Sequence, residues 1–406
     1  MKVLLSAFAC EPNFGSEPEV GWRWALHLAQ RGHDVFVLTR LEHRAGIEKE
    51  LGRLSDIRPR LIYYDLAESI RWHDGGGKFH FYLYYALWQW RAVRVARELH
   101  AHHRFDCVHH VTLAGFRVGS LMGDLGIPFI FGPVGGGERA PWALRSGYTL
   151  KGWLLDALRD VANAAVRFDP VLLRTLARAS TIYVTSPDTL RLLPRKHRKR
   201  AIIELAIGTE AEGEFKLERA EKLRNRPIFR VLYVGQFLYW KGMHLGIPAF
   251  AQLAKTRRDA RLTIIGEGPE RARWQKLAER HGVAAQIDWR EWLPQAELAG
   301  HYDSHHVLLF PSLHDSGGLV VLESLARGLP VVCLKIGGPG TIVTPDCGRL
   351  VDAASKSPSK VIAELGRALI ELTADDARLR LSRGAQQRSR DFRWQEKVAR
   401  VYREVA

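Results

Sequence analysis

The stretch from Phe310 to Gly338 limits what this chain can fold into more than any other. The apolar run Val307 to Phe310 has the length of a buried strand, and Pro311 stops it. Ser316-Gly317-Gly318 reads as a turn whose glycines let backbone approach a ligand closely. Leu319, Leu322, Leu325 and Ala326 then recur at helical spacing, and Gly328-Leu329-Pro330 closes the helix. Val331 to Leu334 is a second buried strand. Strand, Gly-rich loop, helix and strand in that order make a βαβ unit, with free backbone N–H groups at the helix start. Such a loop is an anion site by construction.

Two acids flank it. Asp315 precedes the loop, and Glu323 lies about two turns into the helix. Carboxylates beside a phosphate cradle would repel phosphate, so they suit hydroxyl groups. A ligand that joins phosphates to sugar hydroxyls is a nucleotide sugar. Read in isolation, the same residues also fit a helix cap at Asp315 and a solvated charge at Glu323.

With those residues in view, the segment resembles the acid-x7-acid motif of the family 4 retaining glycosyltransferases, the glycosyl transferases group 1. Asp315 stands at the first acid, Gly317 where Phe is usual, Glu323 at the second acid, and Gly328-Leu329-Pro330-Val331 at the stop. The resemblance implies an α/β chain of the GT-B fold. Two doubly wound, Rossmann-like domains would face each other across a cleft, with a C-terminal helix crossing back to the first. On this reading residues 1–205 and about 390–406 form the acceptor domain, 206–228 the hinge, and 229–389 the donor domain.

Length and composition agree with two domains. A chain of 406 residues exceeds one ordinary core. Hydrophobic content of 46% and charged content of 26% are those of a folded soluble protein. Cys10, Cys107, Cys333 and Cys347 are scattered without metal-ligand spacing, which suits a reducing compartment. The opening Met-Lys-Val-Leu-Leu-Ser looks like a signal peptide only superficially, because Glu11-Pro12-Asn13 follows at once; a buried first strand is the better reading. No run reaches the ~18 apolar residues of a membrane span. The net charge is +16, with 29 Lys+Arg against 20 Asp+Glu in residues 1–205 and 31 against 24 beyond. A general excess of that kind fits an anionic membrane face, a diphosphate substrate or nucleic acid, and equally plain solubility.

Along the chain, strand Lys2 to Ala7 leads into Ser16 and Glu19 at capping-box spacing, then a helix ended by Gly32 and a strand Asp34 to Thr39. This is a βαβ opening without the G-x-G-x-x-G dinucleotide fingerprint, which disfavours a dehydrogenase. Gly15 and Ser16 occupy the place where the family has a Gly-Gly pair touching donor diphosphate and acceptor. Residues 40–78 carry a strand at Leu61 to Tyr64 and a mobile Gly75-Gly76-Gly77. An aromatic helix from Phe79 follows, with Leu83, Leu87, Trp90 and Val93 facing a core and Arg91, Arg94 and Arg97 pointing outward. It suits either a membrane surface or ordinary packing.

His109 and His110 end a strand, where doubly wound sheets place ligands. They are candidates for the active site or for satisfied core histidines, and the histidines around them lack the carboxylates of a metal site. Gly135-Gly136-Gly137-Glu138 resembles an acceptor-side loop of part of the family, and it carries no histidine of its own. Residues 141–178 read as basic amphipathic helices, in a region that often meets a membrane or a lipid-linked acceptor in this family. Arg191 to Arg200 holds six Lys+Arg and no interleaved aromatics, so nothing supports nucleic acid as a partner.

A second βα pattern begins at Phe229. Lys241 keeps the family's diphosphate-gripping lysine, and Gln236 stands where its arginine would be. By the same resemblance Gly266 and Gly268 lie beside the nucleotide, and Trp292 and Leu293 read the base through backbone groups. Lys241 with the Ser316, Gly317 and Gly318 amides takes the phosphates, Leu319 lies beside them in the donor site, Glu323 takes the ribose diol, and Asp315 the hydroxyls of the transferred sugar. The family implies a retaining transfer from a nucleotide-diphosphate sugar to a saccharide or lipid-linked acceptor of cell-envelope or exopolysaccharide synthesis. No cofactor or metal is expected, because no Asp-x-Asp occurs. The expected place is the cytoplasm, peripheral to the inner face of the plasma membrane. The alternative is a non-catalytic nucleotide-sugar-binding or scaffold protein, marked by Gln236 and the shortened acid.

Overall fold

The computed structural model describes residues 1–54, 58–67, 77–113, 115–210, 223–224 and 226–403. Two compact units divide the chain. The first holds Met1–Gly137, Ala162–Ile207 and Trp394–Ala406, and the second Glu138–Val161 and Gly208–Arg393. Residues 138–161 therefore group with the second unit, although the sequence reading puts everything to 205 in the first. The reason is apolar: Ala140, Leu144 and Tyr148 are buried in the same cluster as Val231, Tyr233, Leu262 and Leu309. Most of the expected hinge, at 211–222 and 225, lies outside the described residues, as do Gly75 and Gly76.

The first unit is built on seven strands: β1 (Lys2–Ser6), β2 (Asp34–Thr39), β3 (Arg60–Tyr63), β4 (Cys107–His110), β5 (Phe129–Val134), β6 (Thr181–Val184) and β7 (Ala201–Ile203). Their order is β3-β2-β1-β4-β5-β6-β7, and every pair is parallel. Continuous apolar runs such as Val-Phe-Val-Leu in β2 are what a sheet covered on both faces requires. One cover is the helix Ser16–Gln30, which with Trp394–Arg403 buries Trp24, Trp394, Val398 and Val401. The last helix of the chain thus packs on the first unit, as the GT-B resemblance implies.

Two local expectations fail here. Glu19 makes no capping box: its Oε2 accepts from the Asn13 N–H at 2.5 Å and its Oε1 from Arg23, leaving Gly15 at the cap with φ +73°. The aromatic helix runs Lys78–His103, with Val93 buried and Arg91, Arg94 and Arg97 exposed as expected, but it buries Tyr84, Tyr85, Trp88, Ala92 and Ala96 and leaves Leu83 and Trp90 about half exposed. Phe8 decides this, because Tyr85 and Trp88 pack edge-on to its ring at 4.9 and 5.1 Å.

The second unit has six parallel strands: β8 (Arg230–Val234), β9 (Arg261–Ile265), β10 (Ile287–Arg290), β11 (Val307–Phe310), β12 (Val331–Leu334) and β13 (Gly348–Val351). Their order is β10-β9-β8-β11-β12-β13. In each unit the chain winds outward one way from its first strand and then the other way from its fourth. Each sheet therefore has one switch point, between β1 and β4 and between β8 and β11, and loops leaving the carboxyl ends there splay apart.

Candidate functional site

The loop after β8 and the loop after β11 meet at the switch point of the second unit. Tyr239–Lys241 forms a single 3₁₀ turn, and Gly242 follows with φ +74°. Only glycine suits that position, since a Cβ would also run into the Pro311 carbonyl. This close approach carries Lys241 to Asp315, with Nζ 2.8 Å from Oδ2. Both side chains are about one-sixth exposed, so the pair is open to a ligand. Lys241 Nζ also lies 5.3 Å from the centre of the Phe310 ring.

Asp315 is fixed at three atoms. Its Oδ1 accepts from the Gly318 N–H at 2.9 Å, its Oδ2 from Lys241, and its carbonyl from the Gly338 N–H at 2.8 Å. The Gly318 amide is thus committed inside the loop, and it is not a free donor as the sequence reading has it. The amides of Ser316, Gly317 and Leu319 remain at the start of the helix Leu319–Ala326, with the helix dipole behind them.

Glu323 sits on that helix with both oxygens held. Gln295 Nε2 donates to Oε1 at 3.1 Å and the Tyr302 hydroxyl to Oε2 at 2.7 Å. Burial, and then Glu323 itself, raise the Tyr302 hydroxyl well above its ordinary pKa, so it stays protonated as a donor. Glu323 is therefore no loose surface charge. Gln295 and Tyr302 escaped the sequence reading, although their i, i+7 spacing on the helix Gln295–Ser304 places them on one face.

The remaining candidates of this unit lie on the same edge of the sheet. Gly266 and Gly268 follow β9 with φ +137° and +144°, and a Cβ on either would strike the backbone of the loop after β8. Their first duty is to seat Gly235 and Phe237, and exposed Gln236 stands between those two. Trp292, 66% exposed, and half-buried Leu293 follow β10 and lead into the helix that holds Gln295. Among the described residues, no group of three His, Cys, Asp or Glu side chains is arranged to hold a metal ion.

In the first unit His109 and His110 are core residues. His109 Nε2 donates to the Gly132 carbonyl at 2.7 Å, so Nδ1 accepts from the Tyr402 hydroxyl at 2.8 Å. Burial pushes its pKa down to about 3. His110 is 1% exposed near Tyr85 and Gln89, and burial lowers it to about 4. Neither reaches the protein surface, so both take the core alternative. Gly135, Gly137 and Glu138 are buried too, and only Gly136 is half-open. Gly137 is needed for packing, because a Cβ would sit 2.5 Å from the Thr189 Cα. Gly15 and its neighbour Phe14 are exposed at the end of β1; Ser16 starts the helix there.

The family model described as "Glycosyl transferases group 1" matches residues 214–388. The model "Glycosyl transferase 4-like domain" matches residues 17–205. A D-inositol 3-phosphate glycosyltransferase of Acidothermus cellulolyticus is 31% identical over 262 residues, covering 61% of this chain and 55% of that protein. Glycogen synthase of Mycobacterium tuberculosis is 32% identical over 177 residues, or 43% of this chain and 42% of that one. The chain spans about half the length of the curated relatives it matches. Among solved structures, sucrose-phosphate synthase of Thermosynechococcus elongatus aligns with TM-score 0.63 at 18% identity, covering 100% of this chain and 99% of that one. Anabaena HepE in complex with UDP aligns with TM-score 0.62 at 15% identity and the same coverage. At such identities these structures speak for the architecture, which is the two-domain GT-B fold.

Proposed function

Given that this chain belongs to the GT-B glycosyl transferases group 1, we propose that it moves a sugar from a nucleotide-diphosphate sugar to a saccharide or lipid-linked acceptor, keeping the anomeric configuration and using no metal. The observation that carries this reading is the convergence of Lys241, Asp315 and the start of the helix Leu319–Ala326 on one switch point. Lys241 and the amides of Ser316, Gly317 and Leu319 supply positive charge where a departing diphosphate becomes more negative. Asp315, already held by Lys241, accepts from hydroxyls of the transferred sugar, and Glu323 accepts from the ribose diol in place of Gln295. On the family's route the acceptor attacks from the leaving-group face, the glycosidic C–O bond to phosphate breaks, and a phosphate oxygen takes the acceptor's proton. The protein's part is positioning and charge stabilisation.

Because HepE has been solved with UDP, UDP-glucose heads a panel of nucleotide sugars for a thermal-shift screen of the purified protein. A true donor raises the midpoint by native-state binding, and its nucleoside diphosphate is released when an acceptor is supplied. A midpoint that no nucleotide sugar moves would overturn the reading. A shift with no turnover on any acceptor would favour the non-catalytic alternative.

Peripheral membrane association is part of the same reading, and residues 138–161 support it. The helix Leu150–Ala165 is turned inside out, with Leu150, Leu154, Leu155, Leu158 and Val161 between 47% and 77% exposed. The three acids of the segment, Glu138, Asp156 and Asp160, all point inward, while Arg139 and Lys151 stay outside. Trp and Leu on one side with only cations around them suit an anionic bilayer surface. Vesicles containing phosphatidylglycerol should therefore co-sediment the protein, and zwitterionic vesicles should not. Leu154→Glu with Leu158→Glu should cut the bound fraction at least tenfold while leaving transfer to a soluble acceptor intact.

A further inference from the structure

The inner side of that helix reaches the donor loop. Asp156 is 1% exposed, and its Oδ1 lies 2.6 Å from His314 Nε2. On the other side of the ring, His314 Nδ1 lies 3.0 Å from the Glu138 carbonyl. A carbonyl oxygen only accepts, so Nδ1 carries a hydrogen, and a proton must also lie between Nε2 and the carboxylate. Arg145, wholly buried, stands 3.0 Å from Asp156 Oδ2 and donates to Asp160 at 2.6 Å and to the Ala140 carbonyl. The residue after His314 is Asp315. Its own atoms are pinned to Lys241, Gly318 and Gly338, and the preceding Leu313 N–H donates to the Trp240 carbonyl at 2.8 Å.

A buried ionic cluster is weak evidence of stability, because apolar replacements of like volume are often as good. What it can give is a fixed position. Asp156 is too deeply buried to touch a substrate, so it acts only through the imidazole. We propose that Asp156 and His314 are a positioning pair that holds Asp315 and the phosphate-facing loop in register for transfer. The inference rests on the functional reading above. It adds that two side chains 158 residues apart, neither in the acid-x7-acid motif, set the rate of that site. Asp315 must meet both a sugar hydroxyl and Lys241, and a displacement of about 1 Å in such a constellation costs up to ~100-fold.

The test compares kcat and donor KM of the full chain, with the donor found by thermal shift, for Asp156→Ala, Asp156→Asn, His314→Ala and Asp156→Ala/His314→Ala. Asn keeps the shape of Asp, and its amide, once flipped, donates to a neutral Nε2. Asp156→Ala and His314→Ala should each lower kcat at least tenfold with donor KM within about threefold. The double variant should be no worse than either single one, because both break one link. Asp156→Asn should restore at least half of the wild-type kcat. Equal folded fractions by circular dichroism make the comparison fair. Wild-type kcat in Asp156→Ala or His314→Ala, additive losses in the double variant, or Asp156→Asn as slow as Asp156→Ala would each overturn the pair. If the wild-type chain itself transfers nothing, it is the functional reading that fails.

Discussion

Lys241→Ala is expected to lower kcat by roughly 10²–10³, or about 2.7–4 kcal/mol, the loss typical of removing one preorganised donor to a developing anion. In the proposed transfer, the charge that grows is on the leaving diphosphate. If, as the family resemblance implies, Gln236 stands where an arginine would be, the proposed site has one cation for a task that two would otherwise share. Gln can donate a hydrogen bond but cannot neutralise phosphate. Losing Lys241 therefore leaves only loop amides and a helix dipole, worth about 0.3–1 kcal/mol at an open site. Glu323→Ala should behave oppositely: if Glu323 holds the ribose as proposed, it does so alike in the ground and transition states, so donor KM rises about tenfold while kcat stays within about twofold. Steady-state release of nucleoside diphosphate reads both parameters. Turnover of Lys241→Ala near wild type would remove the phosphate role from this residue.

The parts of this site that could be read in the sequence are those whose partners are close in sequence or whose backbone is special. Val307 to Phe310 and Val331 to Leu334 are strands at the expected bounds, since continuous Val and Leu bounded by Pro and Gly leave few other options. The helix after Gly318 starts as expected for the same reason. Burial depth is harder to read. His109 and His110 have the right residue type at the right end of a strand, but only the packing of Tyr402, Trp24 and Tyr85 shows that they are sealed in. Periodicity reveals that a helix is two-faced and not which face is inside. In Leu150–Ala165 the leucines face outward and Asp156 inward, because Arg145 and His314 give Asp156 a better partner than water. The Glu19 cap fails through competition, with Asn13 and Arg23 both within reach.

Glu204→Ala should destabilise the fold by about 3–5 kcal/mol, because it strands a buried cation. Lys397, on the last helix, is fully buried, and its Nζ lies 2.6 Å from both Glu204 Oε1 and the Leu205 carbonyl. Arg400 closes the cluster on Glu204 Oε2 at 3.1 Å. Burial pushes the Glu204 carboxyl up, but Lys397 and Arg400 overcome it and hold the group below its ordinary value. In the wild type, then, the stability from Glu204 is present above the ordinary carboxylate range. It is lost as pH falls through the depressed value. Lys397 runs the other way: burial lowers its pKa, and Glu204 is the chief opposing influence. Without Glu204 the folded-state pKa of Lys397 drops further below that of the unfolded chain. Between the two values the unfolded chain binds more protons, so stability of Glu204→Ala must rise with pH from 7 toward 10. Guanidinium unfolding at pH 7 and pH 10 measures this. The wild type should change less over that interval. Adding Lys397→Met should recover most of the loss at pH 7, because an apolar side chain of like length no longer needs a counterion. If Glu204→Ala were as stable at pH 7 as the wild type, or no more stable at pH 10 than at pH 7, the cluster would not be what ties the last helix to the first unit.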